Sequence, residues 1–200
     1  MLDSLTLSIA RLCEQVYNDE PQFGRPSWAA RGRLYPIPGG AQVLVFRGTD
    51  NAATTIADLD AITLPVQGLG SVHQGFWVAL STVLPAIFAS PKPLYIAGHS
   101  EGAALATLCA GALALTGNPP AAVYGFEPPR VSADTILGEL LDDSGVVRFY
   151  TRNGSDPVPE LPPALMLPGT LTQIGNAPSL IPNVSDHLIK NVVAVIEGAI

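Results

Sequence analysis

Charge is scarce in this sequence. Only 14% of its 200 residues are Asp, Glu, Lys or Arg, against about 25% in an ordinary soluble domain. The balance is acidic, with 10 basic residues against 17 acidic ones and a net charge of −7. No cluster of four or more basic residues occurs. Nucleic-acid binding needs a basic face, so nucleic acid is excluded as a partner, and charge gives no basis for recognising anionic lipid. Cysteine is nearly missing. Cys13 and Cys109 allow at most one bridge, which is no disulfide framework, and both fall on stretches of helical apolar periodicity where buried free thiols are expected. No Cys-x-x-Cys or His-x-x-x-His spacing exists, so no metal site is expected. Long apolar runs are missing too. The longest, residues 103–115, is interrupted by Thr107 and falls short of the roughly 20 residues of a transmembrane helix. It reads as a buried helix. The first residues lack a basic segment followed by an apolar one, so no secretory signal is expected. That leaves a cytoplasmic location or export by a signal-independent route.

What is present is a chain able to build a core. Apolar residues make up 48%, with 19 Gly and 19 Pro, and the mean hydropathy is +0.32. This composition argues against disorder, a coiled coil or a collagen-like chain. The length suits one domain spanning residues 1–200, and no repeat, charge run or linker divides it. Leu2, Leu5, Ile9, Leu12 and Val16 recur at helical spacing, predicting a helix over 2–18. A Pro/Gly-rich stretch follows at 21–40. Buried strands are expected at 41–46, 94–97, 122–126 and 146–151, with a further strand at 171–174. Helices are expected at 75–89, kinked at Pro85, and at 101–115, 132–141 and 187–199. Residues 50–72 are mixed. This alternation predicts an α/β fold with a central, mostly parallel sheet flanked by helices.

Gly98-His99-Ser100-Glu101-Gly102 matches G-x-S-x-G between a predicted strand and a predicted helix. A tight strand-to-helix turn of this kind presents the serine hydroxyl at the strand's carboxyl end, above a helix N-terminus suited to a developing oxyanion. A serine nucleophile needs a base. Of the three histidines, His73 and His99 precede Ser100, so only His187 fits the order nucleophile, acid, histidine. The acid lies among Glu127, Asp134, Glu139, Asp142, Asp143, Asp156, Glu160 and Asp186. Asp156 is favoured because it follows the carboxyl end of a predicted strand, where α/β sites are built. Asp142 and Asp143 precede that strand, and Asp186 is expected to cap the last helix. Oxyanion donors are expected from the backbone N–H of Glu101 and from Gly48-Thr49, after an earlier strand.

The ordered set of motifs resembles the class 3 (fungal-type, Rhizomucor-like) lipase family of α/β-hydrolases. The stretches that carry the likeness are VLVFRGTD (residues 43–50), HQGF (73–76), IAGHSEGAALATL (96–108), YGFEPPRV (124–131) and NGSDPVPELP (153–162). The resemblance implies a compact α/β-hydrolase with Ser100 as nucleophile, Asp156 as acid, His187 as base, and Thr49 and Glu101 at the oxyanion hole. His73 and Arg47 match family positions that look architectural. It also implies hydrolysis of carboxylic esters, with an ester or lipid small molecule as substrate, transient contact with a lipid interface, and no cofactor or metal. Two alternatives stand beside it: a phospholipase A1-type toxin or lysis enzyme, and a catalytically silent module binding lipid or a partner. The chain departs from the family at Glu101, where Leu is usual, and in being shorter, without the cysteines of many secreted members. Residues 54–64, with Ile56, Leu59, Ile62 and Leu64, occupy the family's lid position and either cover the site or pack on it. The apolar loop 161–167 either lines an acyl pocket or packs on the core.

Overall fold

The computed structural model describes residues 2–50 and 60–200. In chain order its strands are β1 Gly32–Pro36, β2 Gln42–Phe46, β3 Thr63–Val66, β4 Gly70–His73, β5 Tyr95–His99, β6 Ala122–Phe126, β7 Val147–Asn153 and β8 Leu171–Ile174. Its helices are α1 Ser4–Gln15, α2 Gln74–Ser81, α3 Leu84–Phe88, α4 Glu101–Leu115, α5 Ile136–Asp143 and α6 Ile189–Ala199. Six strands form one sheet in the order β1-β2-β5-β6-β7-β8. Every pairing is parallel except β1 with β2. The expected α/β architecture, a mostly parallel sheet flanked by helices, is therefore present.

The apolar strands lack alternation because helices cover both faces of the sheet. Successive side chains of β2 point to opposite sides. Leu44 and Phe46 join a core with Leu80 of α2, Ile87 of α3, Leu105 of α4 and Leu137 of α5. Val43 and Val45 join another with Ile9 of α1 and Ile196 of α6. The helix α4 is buried at every residue from Gly102 to Leu113, which explains its apolar run. Thr107, the interruption, is satisfied inside the core: its hydroxyl donates to the Ala103 carbonyl at 2.9 Å and meets the Tyr150 hydroxyl at 3.0 Å. Cys13 and Cys109 are buried free thiols, as the periodicity indicates. Among the described residues no helix is long and apolar enough to cross a membrane.

Several elements differ from the sequence expectation. The Pro/Gly-rich stretch holds β1, an edge strand that ends at Pro36, where the missing N–H costs no ladder bond. The mixed stretch contains the β3–β4 hairpin. The helix expected at 75–89 is two helices, because Pro85 lies in the first turn of α3 instead of kinking a continuous one. The helix α5 starts at Ile136, since Ser132 is engaged in bridges to Val72 and Met166. The first helix begins where the Asp3 carboxylate accepts the Thr6 N–H at 2.7 Å.

Leu105→Ala should lower unfolding free energy by about 2–5 kcal/mol through the cavity it leaves. Leu115→Ala, at the exposed end of the same helix, should change it by less than about 0.5 kcal/mol. Urea denaturation of both variants checks this, and equal losses would contradict the burial of α4.

Candidate active site

The turn between β5 and α4 has no room for side chains on its inner side. A Cβ on Gly98 would lie 2.1 Å from the Gly102 carbonyl oxygen, and one on Gly102 would lie 2.4 Å from the Phe46 carbonyl oxygen. Only glycines permit that approach. The chain must reverse within one residue, and Ser100 takes the left-handed conformation, φ 58°, ψ −130°, which costs an L-residue energy. The Ser100 N–H is held by the Phe126 carbonyl at 2.9 Å. Its side chain is thereby set at the start of α4.

Two loops beyond the sheet bring His187 and Asp156 to this serine. His187 Nε2 lies 2.8 Å from Ser100 Oγ, and its Nδ1 lies 2.6 Å from Asp156 Oδ2. All three side chains are buried. The strand β7 runs to Asn153, two residues past the expected end, so Asp156 falls within the next turn. The Val158 N–H donates to Asp156 Oδ1 at 3.0 Å. Burial pushes the Asp156 carboxyl up, but hydrogen bonds with His187 and Glu127 and from Val158 outweigh it and hold the carboxyl below its ordinary value. An ionised Asp156 accepts from Nδ1–H, which leaves the Nε2 lone pair facing the serine hydroxyl. The arrangement can move the serine proton onto imidazole.

Asp186 does not cap the last helix, which begins only at Ile189 with Leu188 at its cap position. It ties the two loops together instead. Its carboxylate accepts the Ser155 N–H at 2.8 Å and the Asn183 amide at 2.8 Å, while its backbone carbonyl accepts from Asn153 at 3.0 Å. Gly154, at φ 51°, leaves the space: a Cβ there would lie 2.3 Å from Asp186 Oδ2.

On the other flank of Ser100, the exit of β2 passes close by. A Cβ on Gly48 would lie 2.5 Å from the His99 carbonyl oxygen and 3.4 Å from Ser100 Cβ. Thr49 follows directly, and its hydroxyl donates to the Glu101 carboxylate. Glu101 is the first residue of α4, so its own N–H has no acceptor within the helix. Burial raises the Glu101 carboxyl above its ordinary value, against the bond from Thr49 and the charge of Arg31. The Glu101 carboxyl is therefore engaged by Thr49.

His73 caps α2, its Nδ1 accepting the Phe76 N–H at 3.4 Å, and Arg47 donates to the Tyr17 carbonyl and pairs with Asp50. Of the 54–64 segment, residues 54–59 lie outside the described residues. Ile62 is exposed and Leu64 half-buried at the start of the β3–β4 hairpin. The loop 161–167 is fastened by Arg130, whose guanidinium donates to the carbonyls of Pro159, Pro163 and Leu165. Leu165, Met166 and Leu167 line a cavity of about 270 Å³ whose lining includes neither Ser100 nor His187.

Sequence reasoning missed the role of His99. Its Nε2–H donates to the His187 carbonyl at 2.6 Å, since a carbonyl only accepts, and its Nδ1 therefore accepts the Tyr17 hydroxyl at 2.9 Å. The available signal was a histidine ending a buried strand beside the serine. Burial, with the neighbouring His187, pushes His99 down to about 3. The unfolded chain takes up a proton near the ordinary value of 6.5 that the folded one refuses. This contribution to stability is therefore present above 6.5 and is lost as pH falls toward 3, at up to about 1.4 kcal/mol per pH unit. Thermal melts from neutral pH to about pH 4.5 should show a smaller loss for His99→Gln than for the wild type; equal losses would contradict a neutral, buried His99.

Comparison with known proteins places these motifs in a family. The family model for lipase (class 3) matches residues 43–166, more than half of the chain. The secreted mono- and diacylglycerol lipase A of Penicillium cyclopium is 34% identical over 133 residues, covering 61% of this chain and 43% of the relative. The chain thus spans less than half the length of that relative. A Rhizomucor miehei lipase–propeptide complex superposes with a TM-score of 0.59 at 26% identity, covering 86% of this chain and 66% of the other. Lipase II from Rhizopus niveus superposes with a TM-score of 0.66 at 20% identity, covering 92% and 89%, and speaks for the fold alone. With its motifs in order, its sheet and elbow in place and the family model matched, the chain belongs to the class 3 lipase family.

Proposed function

We propose that residues 1–200 form one domain that hydrolyses carboxylic esters of lipase or esterase type through Ser100, His187 and Asp156. The observation that carries the proposal is the continuous hydrogen-bonded path from Ser100 Oγ through both imidazole nitrogens to Asp156. Ser100 Oγ attacks the ester carbonyl while His187 Nε2 takes its proton. Asp156 stabilises the imidazolium that forms. The N–H groups of Glu101 and Thr49 hold the oxyanion. As the tetrahedral intermediate collapses, His187 protonates the departing alcohol and leaves an acyl group on Ser100. Water then repeats the cycle, with His187 again as base, and releases the acid. Glu101 accepts the Thr49 hydroxyl, so its charge is directed into that bond and Thr49 is held in orientation.

Acylglycerols or related apolar esters are the proposed substrates. The support is the family and the names of its mono- and diacylglycerol lipase relatives. Leu180 and Ile181, in the segment leading to His187, are 103% and 78% exposed. Ser179, next to them, bonds Ser155 of the acid loop at 3.1 Å. Such a patch fits transient contact with a lipid interface. The Penicillium cyclopium relative is named as a secreted lipase, which supports export of this chain as well.

Hydrolysis of p-nitrophenyl esters of graded chain length tests the reaction. Ser100→Ala should lose at least about 10³-fold in kcat with an unchanged melting temperature, and retained turnover would remove the proposal. Leu180→Ser combined with Ile181→Ser should lose about tenfold on emulsified glyceride while leaving a soluble short-chain ester unaffected. Equal effects on the two substrates would remove the interface contact.

A further inference from the structure

Among the described residues, two that are not glycine adopt positive φ: Ser100 at 58° and Glu127 at 54°. They follow the carboxyl ends of adjacent parallel strands, β5 and β6. The strain at Ser100 is explained by the elbow. Glu127 occupies a left-handed position where glycine would be relaxed, and it is 0% exposed. An acid kept there against backbone preference and burial points to a role.

Its surroundings define that role. The backbone N–H of Glu127 donates to the Thr151 carbonyl at 3.0 Å, and Oε1 accepts the Asn153 N–H at 2.8 Å. Oε2 is buried and meets no donor among the described residues. The bond to Asn153 sets the carboxyl at the root of the turn that carries Asp156, whose N–H donates to the Asn153 carbonyl at 3.2 Å, and there the two carboxyls interact. Two buried carboxyls in contact hold one charge between them. Asp156 already receives His187 Nδ1–H and the Val158 N–H, which favours its ionised form. Glu127 has a single N–H donor. The other charged or titratable groups facing the pair are Arg152, which is paired with Glu160 at 2.6 Å, and the neutral His99. The proton therefore resides on Glu127. Burial and the Asp156 charge push the Glu127 carboxyl well above its ordinary range.

We propose that Glu127 is a positioning residue, a neutral carboxylic acid that donates its hydroxyl proton from Oε2 to the Asp156 carboxylate and fixes that carboxylate toward His187. The inference rests on the reading of Asp156 as the partner of His187. It satisfies the orphaned oxygen, keeps one negative charge beneath the imidazole, and spreads that charge over an added donor. Removing the donor concentrates charge on Asp156 and raises the proton affinity of His187.

Two substitutions separate this role from plain packing. Glu127→Gln keeps a carbonyl for the Asn153 N–H and an amide donor for Asp156. It should hold kcat within about threefold of wild type and leave the acidic limb of the pH–rate profile in place. Glu127→Gly suits the backbone but removes the donor. It should lower kcat by about tenfold with little change in KM, and move the acidic limb to higher pH. Infrared difference spectra at neutral pH should show a protonated-carboxyl C=O band that disappears in Glu127→Gln and persists in Glu160→Gln. Absence of that band overturns the proposal. So does a shift of the acidic limb to lower pH in Glu127→Gln, which would mean that an ionised Glu127 had been removed. The infrared readout needs no turnover, so loss of the hydrolase reading leaves it standing as a separate result.

Discussion

The structure depends on the contact between the first turn of α4 and the ends of β2 and β5. Backbone meets backbone there, with no space for a Cβ on Gly98 or Gly102. This closeness forces Ser100 into the left-handed region and aims the N-terminus of α4 at the space above the sheet. It also sets the β2 exit, with Gly48 and Thr49, against the serine. The apolar length of α4 supplies the rigidity. A helix buried along its whole middle between the sheet and α2 and α5 has little freedom to relieve the strain at its start.

A chain with few charges concentrates its buried polar groups at the carboxyl end of one sheet. Ser100, His99, His187, Asp156, Glu127 and Asn153 all lie at or beyond the carboxyl ends of β5, β6 and β7, and all are buried. Each proton in this set has limited choices. The His187 carbonyl fixes the tautomer of His99, and His99 Nδ1 in turn accepts a hydrogen bond from the Tyr17 hydroxyl. Asp186 holds the acid loop to the histidine loop by two separate bonds. Such a network has few alternative arrangements, so it keeps the imidazole oriented.

Much of this was legible in the sequence, and the reasons differ by element. The strands β2, β5 and β6 and the helix α4 carry mostly apolar runs because they are buried on both sides. The placement of His187 against Ser100 followed from chain order and from the scarcity of histidine. That of Asp156 followed from its position past a strand. The edge strand β1 and the β3–β4 hairpin were hidden because half-buried strands of four or five residues among Pro and Gly carry little signal. Asp186 resembled a helix cap because it precedes an apolar helical pattern, yet its bonds run to a loop about thirty residues away in sequence. Glu127 stood among the candidate acids, but a buried carboxyl's protonation state depends on which carboxyl lies beside it, and sequence does not carry that.

Covalent labelling with a fluorophosphonate, read by peptide mass spectrometry, tests the central claim most directly. The account predicts one phosphonyl group per chain on the peptide containing Ser100, with labelling slowed severely in His187→Ala while that variant remains folded. A folded wild-type protein that stays unlabelled, or one labelled at another serine, would contradict a nucleophilic Ser100 activated by His187.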